Sequence, residues 1–171
     1  IKMDVSPEFM EMFLVVIQLG AIMAVVVIYW KRLIPTNRAT WIMWLKIMVS
    51  CLPAILIGLP FDDFIEKKFN NWFVVAVMLI VYGVLFLVVE DYNEKRTVKI
   101  HSIADITWKT ALLIGIFQVL ALIPGTSRSG ATIIGGILLG ASRTVAAEYT
   151  FFLAIPVMFG ASLLKICKIW I

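Results

Sequence analysis

The sequence predicts an all-α, polytopic membrane protein with one helix broken inside the membrane. Two observations carry that prediction. Of 171 residues, 62% are apolar and only 15% charged, against about 45–50% and about 25% in soluble domains. The apolar residues also fall into runs of roughly one membrane thickness, about 20 residues each, separated by short charged stretches. The net charge of +4, from 15 Lys/Arg and 11 Asp/Glu, sits mostly in those stretches, which argues against nucleic acid as a partner. Cys51 and Cys167 lie in distant apolar runs, suiting small buried hydrophobes better than a disulfide or a metal site.

Along the chain, 13–30 is free of charge and ends in Tyr29-Trp30-Lys31-Arg32, aromatic rings followed by cations as at a membrane interface. A second apolar run, 40–61, contains Lys46, Pro53, Gly58 and Pro60 and predicts a bent or partly interfacial helix. A polar loop is expected over 62–71 and a third span over 72–89. From Glu90 to Lys109 come eight charged residues and the lone histidine, His101, a solvated connection. Next, 110–123 and 131–140 are each too short to span. Together they predict a re-entrant hairpin over 110–140. A last span covers 149–166, kinked near Pro156. The whole chain reads as a single transmembrane domain, 1–171, cut at both ends, because it starts without Met and stops directly after a span.

If the hairpin enters and leaves on one side, that side holds Lys31, Arg32, Arg38, Lys95, Arg96, Lys99, Lys109 and Arg143. Lys2, Lys67, Lys68, Lys165 and Lys168 fall on the other. The excess makes the first side cytoplasmic.

Between the two half-helices stands PGTSRSG, Pro124 to Gly130. Irregular backbone at membrane depth must be surrounded by protein or water, so this loop is expected to line a cavity. Pro124 ends the first half-helix, and Gly125 and Gly130 permit conformations closed to other residues. The second half-helix, starting near Gly130, would turn its unpaired N–H groups and positive dipole end toward the loop. Arg128 adds a planar fork of donors, and Thr126, Ser127, Ser129 and Thr132 add hydroxyls. Phosphate or diphosphate is the ligand such donors suit.

Bland readings compete at each position. Gly136 and Gly140, spaced as GxxxG, are read as helix-packing residues. Arg128 is read as functional, since intramembrane charges are rare. Gly125 to Gly130 begins like a nucleotide-binding P-loop, but Ala131-Thr132 follow where Lys then Ser/Thr are required. Gln18, in the middle of the first span, either bonds to a neighbouring helix or contributes to the site. Glu148 reads first as an ordinary charge near a helix start and second as a member of a polar cavity. Glu8 and Glu11 read as interfacial.

Three blocks, "VVIQLGAIMAVVVIYWKRL", "ALIPGTSRSGATIIGGILLGASR" and "AAEYTFFLAIPVMFGAS", together resemble the undecaprenyl-diphosphate phosphatases of bacterial inner membranes. The resemblance implies removal of the terminal phosphate of a polyprenyl diphosphate lipid, which recycles the carrier for cell-wall synthesis and is linked to bacitracin resistance. It also implies inverted repeats with two re-entrant hairpins, and a homodimer. Within it, Arg128 and Ser127 would be catalytic, Arg128 holding the diphosphate, with Gly125, Thr126, Ser129, Gly130 and Thr132 as substrate-binding neighbours. A divalent metal, Mg or Ca, is implied as well, but its carboxylate ligands belong to a first hairpin motif that this chain lacks: Glu8 and Glu11 are three apart, not four, and no Ser-Ser-Thr-Gly-His run accompanies them. Leu14 stands where many relatives carry an acidic residue. The chain is therefore expected to be incomplete and inactive alone. The alternatives are a transporter or flippase for an anionic lipid and a purely structural membrane subunit.

Overall fold

In the computed structural model, which describes residues 7–69 and 71–170, the chain is all helical. Six α-helices follow in order: α1 Pro7–Leu33, α2 Arg38–Phe69, α3 Trp72–Glu94, α4 Trp108–Val119, α5 Arg128–Leu138 and α6 Arg143–Trp170. Short 3-10 turns occupy Ile103–Asp105 and Leu120–Leu122. Among the described residues, four stretches are long and apolar enough to cross a membrane: Met12–Leu33, Arg38–Gly58, Trp72–Glu94 and Arg143–Leu163. Their outer faces are bare hydrocarbon, as on Val27, Ile28, Leu56, Ile80 and Leu87. Such faces are stable only against lipid.

Helix α2 packs along α4, α1 along α6, and α5 sits among α3, α4 and α6. A polar knot joins three helices. Ser50 Oγ of α2 lies 2.6 Å from the carbonyl oxygen of Ala111 in α4 and 2.7 Å from the Tyr149 hydroxyl of α6. Around it Ile47, Ile114, Tyr149 and Phe152 are fully buried. The close approach depends on Gly115, where a Cβ would come within 2.4 Å of the Ser50 carbonyl oxygen.

Three expectations need correction. The polar stretch after the second span is not a loop over 62–71, because α2 runs unbroken to Phe69. Nothing in Asp62 to Phe69 breaks a helix, and Lys67 and Lys68 in the last turn complement the dipole. The solvated connection 90–109 is solvated only in part. Ile100 and Ile106 are buried in the core, and Lys46 of α2 donates to the Ala104 carbonyl at 3.2 Å. Ser102 donates to Asp105 through both its amide and its hydroxyl, which holds the Asp105 carboxyl below its ordinary range. Gly140, read as a packing residue, instead ends α5 with φ of +109°, the left-handed conformation that glycine tolerates. Gly136 does pack, with a Cβ there 3.0 Å from that of Ala146.

The helix ends at this level are tied together. Ile100 pairs with Ala141, bringing the segment before α4 to the segment after α5. Arg143 pairs with Glu90 of α3, and Arg32 of α1 with Glu148 of α6. Arg96 adds a hydrogen bond to the Ala141 carbonyl at 3.1 Å.

Because Gly115 has no room for a methyl group, Gly115→Ala is expected to destabilise the fold by about 1–3 kcal/mol. Gly20→Ala, at an open position, is the neutral control in the same denaturant titration in detergent.

Candidate functional site

The break between α4 and α5 is built from the residues that the sequence singles out. After the turn at Leu120–Leu122 the chain leaves helical geometry at Ile123 and re-enters it at Arg128. Gly125 adopts φ of +89°. A side chain there would also press on α3, its Cβ 2.7 Å from the Val75 Cα. Gly130 serves differently from expectation. It is helical, and its missing side chain admits the Phe86 ring of α3, 3.0 Å from where a Cβ would stand. The loop thus lies directly against α3.

Helix α5 starts two residues earlier than expected, with Ser127 as its N-cap. The Ser127 Oγ accepts from the Gly130 N–H at 3.2 Å and lies 3.2 Å from Ser129 Oγ. The N–H groups of Arg128 and Ser129, in the first turn, have no carbonyl inside the helix to bond.

Beside this helix start is a cavity of about 470 Å³, walled by α1, the α4–α5 break and α6. Its lining divides between polar residues, Gln18, Gln118, Thr126, Arg128, Ser129, Thr132 and Thr150, and apolar side chains such as Ile22, Val25, Phe151, Ile155 and Met158. Among the described residues, the Arg128 guanidinium makes no hydrogen bond or ion pair. Thr132 is buried and already engaged: it donates to the Arg128 and Ser129 carbonyls at 3.1 Å and accepts from Thr150 at 3.0 Å. Thr126 is tucked beside the Tyr82 phenol.

The structure therefore brings together Gln18, Thr126, Arg128, Ser129 and Thr132 on one cavity. Ser127, Gly125 and Gly130 lie outside its walls and shape the loop. Glu148 is elsewhere, nearly buried and paired with Arg32, which ties α1 to α6. Sequence reasoning missed Gln118 and Thr150. Gln118 sits six residues before Pro124 in the same half-helix, a polar residue in an apolar run, and that was the available signal. Thr150 gave none.

A guanidinium without a partner among the described residues, at the N-terminus of a helix and among neutral donors, is complementary to an anion. It is a poor fit for a cation. Among the described residues no three His, Cys, Asp or Glu side chains gather to hold a metal ion. Hard divalent cations require oxygen ligands, usually with carboxylates among them, and the donors lining this cavity include none. The described residues do not fit the Mg or Ca ion that the resemblance implies.

Residues 1–170 match the family described as Bacitracin resistance protein BacA. The chain belongs to this family. Among curated relatives, it is 57% identical over 176 residues to a protein named undecaprenyl-diphosphatase from Enterococcus faecalis, covering 98% of this chain and 64% of the relative. It is 58% identical over 177 residues to the undecaprenyl-diphosphatase of Desulfitobacterium hafniense, with the same coverage. A third, from Acetivibrio thermocellus, is 57% identical over 98% of this chain and 65% of its own length. The chain spans just under two thirds of the length of these relatives.

Capping by Ser127 makes a prediction separable from ligand contact. Ser127→Ala is expected to cost about 1 kcal/mol of stability, and Ser127→Asn to keep most of it, as read from unfolding midpoints in detergent without ligand.

Proposed function

We propose that this chain carries the phosphate-binding part of a membrane phosphatase that converts undecaprenyl diphosphate to undecaprenyl phosphate and phosphate. The observation that carries the reading is the Arg128 guanidinium at the start of α5, without a partner among the described residues and lining a cavity whose walls divide between polar donors and apolar side chains. That division suits a lipid diphosphate, whose head needs donors and whose chain needs hydrocarbon. The family membership supports the same reaction, since the relatives named above are called undecaprenyl-diphosphatases.

In this reading the α4–α5 pair is a re-entrant hairpin. At a rise of 1.5 Å per residue, helices of 12 and 11 residues reach about 18 and 16 Å, short of the roughly 30 Å hydrocarbon core. The Ile100–Ala141 pairing holds both outer ends at one level. The site would lie in the bacterial inner membrane, within a larger inverted-repeat architecture and a homodimer, both of which the resemblance implies.

Hydrolysis forms a bond from a water oxygen to the terminal phosphorus and breaks the bond from that phosphorus to the bridging oxygen. Negative charge builds on the phosphoryl and leaving oxygens. Arg128 lies where it can neutralise that charge, with the first N–H groups of α5 and the Ser129 hydroxyl as neutral donors. Thr132, held by Thr150, fixes the first turn of α5 and so the direction of Arg128. No step here is assigned to a metal, because the described donors do not fit one.

Expressed from its full reading frame, the protein is expected to release phosphate from undecaprenyl diphosphate in detergent. Arg128→Ala should lower that release at least about 100-fold with the fold intact. Equal release from both would make the arginine structural. Binding of the lipid without release by either protein would favour the transporter.

A further inference from the structure

We propose that Gln118 is a second phosphate-contacting residue of this cavity, its side-chain amide donating to the same anion that Arg128 holds. The proposal rests on the reading of the site given above and adds a residue that neither the sequence motif nor the family name assigns.

Gln118 lies in the last two residues of α4, on the opposite side of the break from Arg128. It is only 3% exposed and lines the cavity with Arg128. Its Nε2 is buried and has no hydrogen-bond partner among the described residues. A primary amide in an apolar half-helix is costly to bury unless its donors are used. The neighbouring polar groups do not use them. Thr150 donates to Thr132, and Thr132 donates to the α5 backbone.

The donors left over thus come from both sides of the break, Gln118 at the end of α4 and Arg128 at the start of α5, with the Thr126 hydroxyl, likewise buried without a partner among the described residues, between them. A phosphate group carries several acceptor oxygens on one centre and can engage both at once. An apolar ligand would leave the amide unpaired, and a cation would meet the like charge of the Arg128 guanidinium. The anion would then bridge the two half-helices, so that binding is coupled to the geometry of the break itself.

Gln118→Leu separates this from a structural role. Removing an unpaired buried amide should leave the unfolding midpoint unchanged or higher, while binding of inorganic pyrophosphate to the chain in detergent micelles weakens about tenfold. Gln118→Met, unbranched and similar in length, repeats the test should the leucine variant fold poorly. Pyrophosphate binding by the leucine or methionine variant equal to wild type overturns the proposal for Gln118 and leaves the reading of Arg128 standing. A lowered midpoint in both variants also overturns it, because the amide must then be bonded within the protein. Absence of pyrophosphate binding to the wild-type chain overturns the reading of the cavity and, with it, the role of Gln118.

Discussion

A helix interrupted inside an apolar protein leaves carbonyl and N–H groups that lipid cannot satisfy, each costing several kcal/mol if it stays bare. The organisation of this chain follows from how that debt is met between Ile123 and Arg128. Part of the answer is local: Ile123 and Thr126 complete short turns with Leu120 and Ile123 carbonyls, and Ser127 caps α5. The larger part is shielding. Helix α3 covers the loop from one side through the glycine contacts at Val75 and Phe86, and α1 and α6 leave a cavity on another. Two side-chain groups of this cavity, Gln118 Nε2 and Thr126 Oγ1, stay buried without a partner among the described residues.

Rigidity at such a site has to come from beyond the loop. The Ser50 knot fixes α4 against α2 and α6, and the Thr132–Thr150 bond fixes α5 against α6. Both half-helices are therefore positioned by α6, which also carries much of the apolar wall. A guanidinium on a long flexible stem is pre-organised only if its backbone anchor is, and here the anchor is a helix start held on three sides.

Much of this was legible in the sequence. Charge-free runs mark the spans because nothing else in a protein this apolar can stay in lipid, and Pro124, Gly125 and Arg128 mark the break because they are the residues least suited to a plain transmembrane helix. What stayed hidden depends on residues far apart in the chain. Glu148 is nearly buried only because Arg32 meets it from 116 positions away, and no local pattern contains that pairing. Gly140 satisfies a packing motif as written, but the helix ends there and its torsion decides its use. The continuation of α2 to Phe69 was concealed by charge, which reads as a loop although it equally suits a helix leaving the membrane.

The shortness of α4 and α5 reaches into how the protein is made. A segment of 11 or 12 residues offers too little hydrocarbon to be retained as a span by itself, so neither half can be committed to the bilayer as it leaves the ribosome. The N–H and carbonyl groups of the break require partners at the moment of entry. Helices α2 and α3, synthesised earlier and already long enough to insert, provide the surface against which the pair can assemble, and α6 closes it afterwards. The order of elements along the chain thus places α6, the final wall of the cavity, after the pair it packs against.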